Sequence, residues 1–104
     1  MSGGAVRQTV VIRDPRGFHL RPKGEVAKTA LHLQCEVRLH WNGQTFNGKS
    51  MLDLLALAAE QGQEVIVEAD GPGASEALPA LVAALRRFEG EADADQVPPQ
   101  LHNS

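Results

Sequence analysis

Cysteine and aromatic residues are scarce in this chain of 104 residues: one cysteine, one tryptophan, three phenylalanines and no tyrosine. A lone Cys35 forms no internal disulfide and fits a reducing compartment. Within a strand-like run it reads as a small buried apolar residue. Positive charge is short too, since 10 Lys and Arg stand against 13 Asp and Glu, a net charge of −3. With few rings and no basic stripe, the chain is not expected to bind nucleic acid. No apolar run approaches the roughly 20 residues of a membrane span, so no membrane insertion is expected. Met1-Ser2-Gly3-Gly4 lacks the charged and apolar regions of a secretory leader, and a cytoplasmic location is expected. His19, His32, His40 and His102 show no paired ligand spacing, so neither a metal nor another cofactor is expected. What remains is an ordinary globular balance, 42% hydrophobic and 22% charged, in a chain with room for one core.

The chain is organised around Gly17-Phe18-His19-Leu20-Arg21-Pro22. Val26, Ala27, Ala30, Leu31 and Leu33 follow at helical spacing, which predicts a helix from about Leu20 to Leu31. Pro22 then falls in the first turn, where its missing N–H costs nothing. His19 stands at the cap, beside backbone N–H groups that lack intrahelical partners and at the positive end of the helix dipole. An anion is stabilised there. Arg21 adds a planar guanidinium suited to phosphate oxygens. The same field disfavours an imidazolium and so favours a neutral, nucleophilic ring. The competing reading is a solvent-exposed loop histidine followed by an incidental Arg-Pro. Gly24 inside the helix costs about 1 kcal/mol against alanine, which either neutral drift at an exposed position or close approach of a partner's surface would explain.

Around that stretch the elements alternate. Val6–Ile12 is β-branched-rich and reads as a strand, broken by Asp14-Pro15-Arg16-Gly17. Gln34–Trp41 alternates Cys35, Val37, Leu39 and Trp41 against a polar face, where His40 is expected to be simply solvated. Asn42-Gly43 predicts a type I′ hairpin turn and a return strand over Gln44–Asn47. Ser50 and Asp53 resemble a capping box, with a short helix from about Met51 to Leu57. Met51 and Leu52, in its first turn, are candidates for an apolar docking patch or for core. Glu64–Ala69 is the fourth strand, and Leu78, Leu81, Val82, Leu85 and Phe88 mark a last amphipathic helix. Pro79 fits it awkwardly: a cap at Gly73 or Ala74 puts the proline beyond the first turn, whereas Ser75 suits it better. Residues 1–88 are expected to form the domain and 89–104 an acidic, flexible tail. The order βαββαβα suggests an α+β open-faced sandwich, a four-stranded antiparallel sheet with three helices on one face.

The chain resembles the HPr family, the histidine-containing phosphocarriers of the bacterial phosphoenolpyruvate–sugar phosphotransferase system. The family motif Gly-Leu/Ile-His-Ala-Arg-Pro is matched by Gly17 to Pro22, and Asn-x-Lys-Ser-Ile/Met by Asn47-Gly48-Lys49-Ser50-Met51. Gln61-Gly62-x-Glu64-Val65 matches as well, and the likeness covers about Val6 to Phe88. The resemblance implies a sheet order of first, fourth, second, third strand. It implies that His19 accepts a phosphoryl group at Nδ1 from phospho-enzyme I, that Arg21 steadies it, and that IIA units of sugar permeases receive it. Ser50 matches the serine that a dedicated kinase modifies in many members, and a transcriptional regulator reads that state. Phe18, Leu20, Lys28, Met51 and Leu52 are implied as the docking surface of a stoichiometric, monomeric carrier rather than an enzyme. Leu20 replaces the usual alanine, Lys23-Gly24 replaces small helix formers, and Asp53 stands where glycine or lysine is common. Two other classes compete: a regulatory HPr-like module without sugar transport, and a small acyl-phosphate hydrolase on a similar scaffold.

Overall fold

The structure, a computed structural model, describes residues 4–89. The expected tail lies outside the described residues, apart from Glu89. Seven elements follow in the expected order: β1 (Ala5–Val11), α1 (Leu20–Leu31), β2 (Glu36–Trp41), β3 (Gln44–Asn47), α2 (Met51–Leu55), β4 (Glu64–Asp70) and α3 (Ala74–Arg86). The strands form one antiparallel sheet ordered β1-β4-β2-β3. Val10 opposite Val65 and Leu39 between Val67 and Phe46 bring the apolar positions of neighbouring strands to one face. Val26 and Ala30 of α1, Leu54 of α2 and Leu81 and Leu85 of α3 cover that face in a single core cluster with them. Asn42 and Gly43, at φ 54° and 77°, make the β2–β3 turn with the two positive φ angles that type I′ requires.

The other face carries a charged row that alternation alone underestimates. Arg7, Glu68 and Arg38 lie side by side across β1, β4 and β2. Glu68 is buried there, accepting from Arg38 Nη2 at 3.1 Å and from His40 Nε2 at 2.6 Å, with Arg7 Nη2 at 3.5 Å. His40 is therefore not merely solvated. Its Nδ1 also meets Thr45 Oγ1 at 3.0 Å, so both ring nitrogens are engaged.

Two local expectations need correction, and the open question of the α3 cap is decided. α2 ends at Leu55, two residues early, because Ala56 and Leu57 donate to carbonyls three residues back and tighten the last turn. The capping box is half made: Ser50 Oγ accepts from the Asp53 N–H at 3.2 Å, but Asp53's carboxylate accepts from the Asn47 N–H at 2.8 Å. The Ser50 N–H is engaged elsewhere, on the Asn47 carbonyl. Gly73, at φ 76°, caps α3, so Pro79 does sit beyond the first turn. The helix nevertheless continues to Arg86. Pro79 and Ser75 are both exposed, so water can reach the Ser75 carbonyl that the proline leaves without its helical donor.

Gly24 has no internal reason to be glycine, since a Cβ there meets nothing within 4 Å and its φ is not positive. Gly24→Ala is therefore expected to raise stability by about 0.5–1 kcal/mol in urea denaturation. A lower unfolding midpoint would show that the backbone at this position needs glycine after all.

Candidate functional site

His19 is the N-cap of α1, with extended backbone (φ −95°, ψ −170°), and its carbonyl accepts the first helical bond, from the Lys23 N–H at 3.1 Å. The loop before it is clamped to the segment preceding β4. Ile12 donates to Gln63 O at 2.9 Å, Gly62 to Ile12 O at 2.8 Å, and Phe18 to Ala59 O at 2.9 Å. Gly17 makes the clamp possible: it holds φ 75°, and a Cβ there would stand 2.7 Å from the Ala59 carbonyl oxygen.

Asp14, read from the sequence only as a turn former, is the buried centre of the site. Its Oδ1 accepts from the Arg16 N–H at 2.9 Å and from Arg16 Nε at 3.0 Å. Its Oδ2 faces Arg16 Nη2 at 2.9 Å and His19 Nε2 at 3.1 Å. Burial pushes this carboxyl up, but the bonds from Arg16 and His19 outweigh it and bring the pKa down to about 2. An ionised carboxylate only accepts, so Nε2 carries the proton and donates. Nδ1 of the neutral ring then holds the lone pair, and it has no partner among the described residues. His40 differs in having both ring nitrogens engaged.

Arg21 is exposed and lies with its guanidinium carbon 3.9 Å from the centre of the Phe88 ring, beyond the end of α3. Arg16 reaches the same place, 3.5 Å from the Phe88 carbonyl oxygen. Phe88, expected only as part of a helix stripe, thus belongs to the site's border. Among the docking candidates, Leu20 and Leu52 are 63% and 80% exposed, Lys28 is exposed, and Met51 is partly buried against the core. Phe18 is corrected: at 4% exposure it is core, because the Gly17–Ala59 clamp turns it inward. Leu55, half exposed on α2, joins the apolar surface, although an encircling apolar pattern could not single it out. Buried Lys23 ties the two helices, with Nζ 3.4 Å from the Leu55 carbonyl oxygen, and burial lowers its pKa. Ser50 is the N-cap of α2, directly before Met51 and Leu52. Among the described residues no group of three or more His, Cys, Asp or Glu is placed to hold a metal.

The family model for the PTS HPr component phosphorylation site matches residues 6–87. The chain belongs to the HPr family. HPr phosphocarriers of Chlamydia trachomatis and Neisseria meningitidis serogroup A are 33% and 32% identical to it, over 88% and 85% of this chain and 84% and 99% of their own lengths. Among solved structures, a Mycoplasma histidine-containing phosphocarrier superposes with a TM-score of 0.77 at 27% identity, covering 81% of this chain and 96% of that one. The Bacillus subtilis catabolite-repression HPr, Crh, which forms a swapped dimer in its crystal, superposes at 0.62 with 33% identity, over 79% and 94% of the chains. The four-stranded antiparallel sheet with three helices is thus the HPr fold, and a phosphocarrier role in the phosphotransferase system comes with the family.

Buried Asp14 and Glu68 both have pKa values held down to about 2, against ordinary values of 3.8 and 4.5. In the unfolded chain they take up protons near those ordinary values, while in the folded chain they resist until about pH 2. Their stabilisation is therefore complete above the ordinary values and lost as pH falls through about 2. Urea denaturation from pH 7 to pH 2 is expected to show this loss, on the order of 2 kcal/mol per group. Glu68→Gln is expected to be less stable at pH 7 with a shallower acid slope. An unchanged slope would remove Glu68 from the explanation.

Proposed function

We propose that His19 Nδ1 accepts a phosphoryl group from phospho-enzyme I and passes it to IIA units of sugar permeases. The observation that carries this reading is the ring's orientation: Nε2 is tied to Asp14, which leaves the lone pair on Nδ1 at the mouth of α1. First-turn N–H groups that lack helical acceptors offer bonds to phosphoryl oxygens. Arg21 steadies the group. Its guanidinium carbon lies 3.9 Å from the centre of the Phe88 ring, and its planar fork suits a charge-assisted pair with phosphoryl oxygens. A carrier of this kind needs only to position and shield a labile P–N bond. Leu20, Lys28, Met51, Leu52 and the additional Leu55 supply the docking surface for both partners, small enough for complexes to separate.

A second reading concerns Ser50, supported by its motif and by the likeness to a catabolite-repression HPr. A kinase-borne phosphoryl group on Ser50 adds a charge near −2 beside Asp53, on the helix that carries Leu52 and Leu55, and a transcriptional regulator reads it. Like charge then works against acidic faces of the transfer partners.

Incubation with phosphoenolpyruvate and enzyme I is expected to add one acid-labile phosphoryl group by intact mass, absent in His19→Ala. No labelling by a competent enzyme I would overturn sugar transport and favour the regulatory reading. Ser50→Asp is expected to slow labelling roughly tenfold, equivalent to about 1.4 kcal/mol of lost docking. An unchanged rate would detach Ser50 from the transfer surface.

A further inference from the structure

Asp14 lies outside both family motifs, yet every polar contact of the His19 ring among the described residues goes to it. Its carboxylate is almost completely buried and its two oxygens are differentiated. Oδ1 is held by two Arg16 donors, and Oδ2 is shared between Arg16 Nη2 and His19 Nε2. We infer that Asp14 is the positioning residue of the phosphoryl acceptor, fixing the ring tautomer that makes Nδ1 rather than Nε2 the nucleophile. This inference rests on the reading of His19 as the acceptor.

The step balances without another group. The Nδ1 lone pair forms the new bond to phosphorus, the bond from phosphorus to the donor breaks, and its electron pair leaves with the donor. No proton is lost from His19: Nε2 keeps its hydrogen, and the ring becomes a phospho-imidazolium whose positive charge faces the Asp14 carboxylate. Return of the pair to Nδ1 releases the phosphoryl group to the next acceptor. Asp14 thus stabilises the charged intermediate state while remaining a spectator to bond making.

The geometry yields a test that ordinary structural loss does not imitate. Arg16 N–H and Nε at the Oδ1 position only donate, so in Asp14→Asn the amide oxygen belongs there. The NH2 group then opposes one donor, Arg16 Nη2, where the reverse orientation would oppose two, and it faces His19 Nε2 and donates to it, which makes Nε2 an acceptor and moves the ring proton to Nδ1. The more conservative substitution is therefore the more harmful one, by the logic of a wrong tautomer. Asp14→Ala merely removes the bias.

Two measurements on the full chain decide the matter: ring 15N shifts of His19, and the labelling rate with enzyme I and phosphoenolpyruvate. The neutral wild-type ring is expected to carry its proton on Nε2, and that of Asp14→Asn on Nδ1. Labelling of Asp14→Asn is expected to fall at least roughly tenfold below that of Asp14→Ala. A wild-type proton on Nδ1, or Asp14→Asn labelled as fast as Asp14→Ala, overturns the inference. Should Asp14→Ala fail to fold, the 15N shifts of Asp14→Asn against wild type decide alone. Should the tautomers behave as expected while nothing is labelled, the carrier reading falls and Asp14's control of the ring stands.

Discussion

The placement of His19 depends on the backbone clamp between residues 12–18 and 59–63. Three main-chain bonds, from Ile12, Gly62 and Phe18, hold the loop after β1 against the approach to β4. A free loop of that length would sample many ring positions, each at an entropic advantage of about 1–2 kcal/mol per unfixed residue. Gly17 permits the closest approach, and the resulting direction of the chain turns Phe18 into the core. One residue later the backbone is already at the helix entrance. The cap position of His19 is thus a product of contacts 41 to 51 residues apart in sequence, as well as of the helix signal that follows it.

The molecule places two histidines against two buried carboxylates and obtains different outcomes. Glu68 on the open face of the sheet is satisfied by arginines of neighbouring strands and by His40, whose second nitrogen meets Thr45. That cluster uses its hydrogen-bonding capacity internally and is structural. Asp14 takes only one nitrogen of His19 and leaves the other at the mouth of α1. The difference lies in saturation rather than in charge, since a reactive ring must retain one unpaired nitrogen.

Much of the fold is legible in residue order. The α1 boundaries, the Asn42-Gly43 turn, the buried side of β2 and the order of elements all follow from periodicity and turn chemistry, because these are short-range effects. The last turn of α2 was overextended, since a tightening to three-residue hydrogen bonds leaves no apolar signature. The site was legible in part. His19, Arg21 and Ser50 stand out by motif, whereas Asp14 read as a turn residue and Phe18 as surface, and Phe88 gave no sign of lying over Arg21. Each of these depends on which groups a distant segment brings near.

Local pattern by itself determined the secondary elements, the single-domain scale and the motif that carries the family. The tertiary structure decided the burial of Glu68 and Asp14, the inward turn of Phe18, the stack of Arg21 on Phe88 and the side of the His19 ring that holds the proton. The physical reason is one of range. Propensity, capping and alternation act over a few residues, but a carboxylate's protonation and an imidazole's tautomer are set by desolvation and by partners within hydrogen-bond reach. Those partners are known only once the chain has closed on itself.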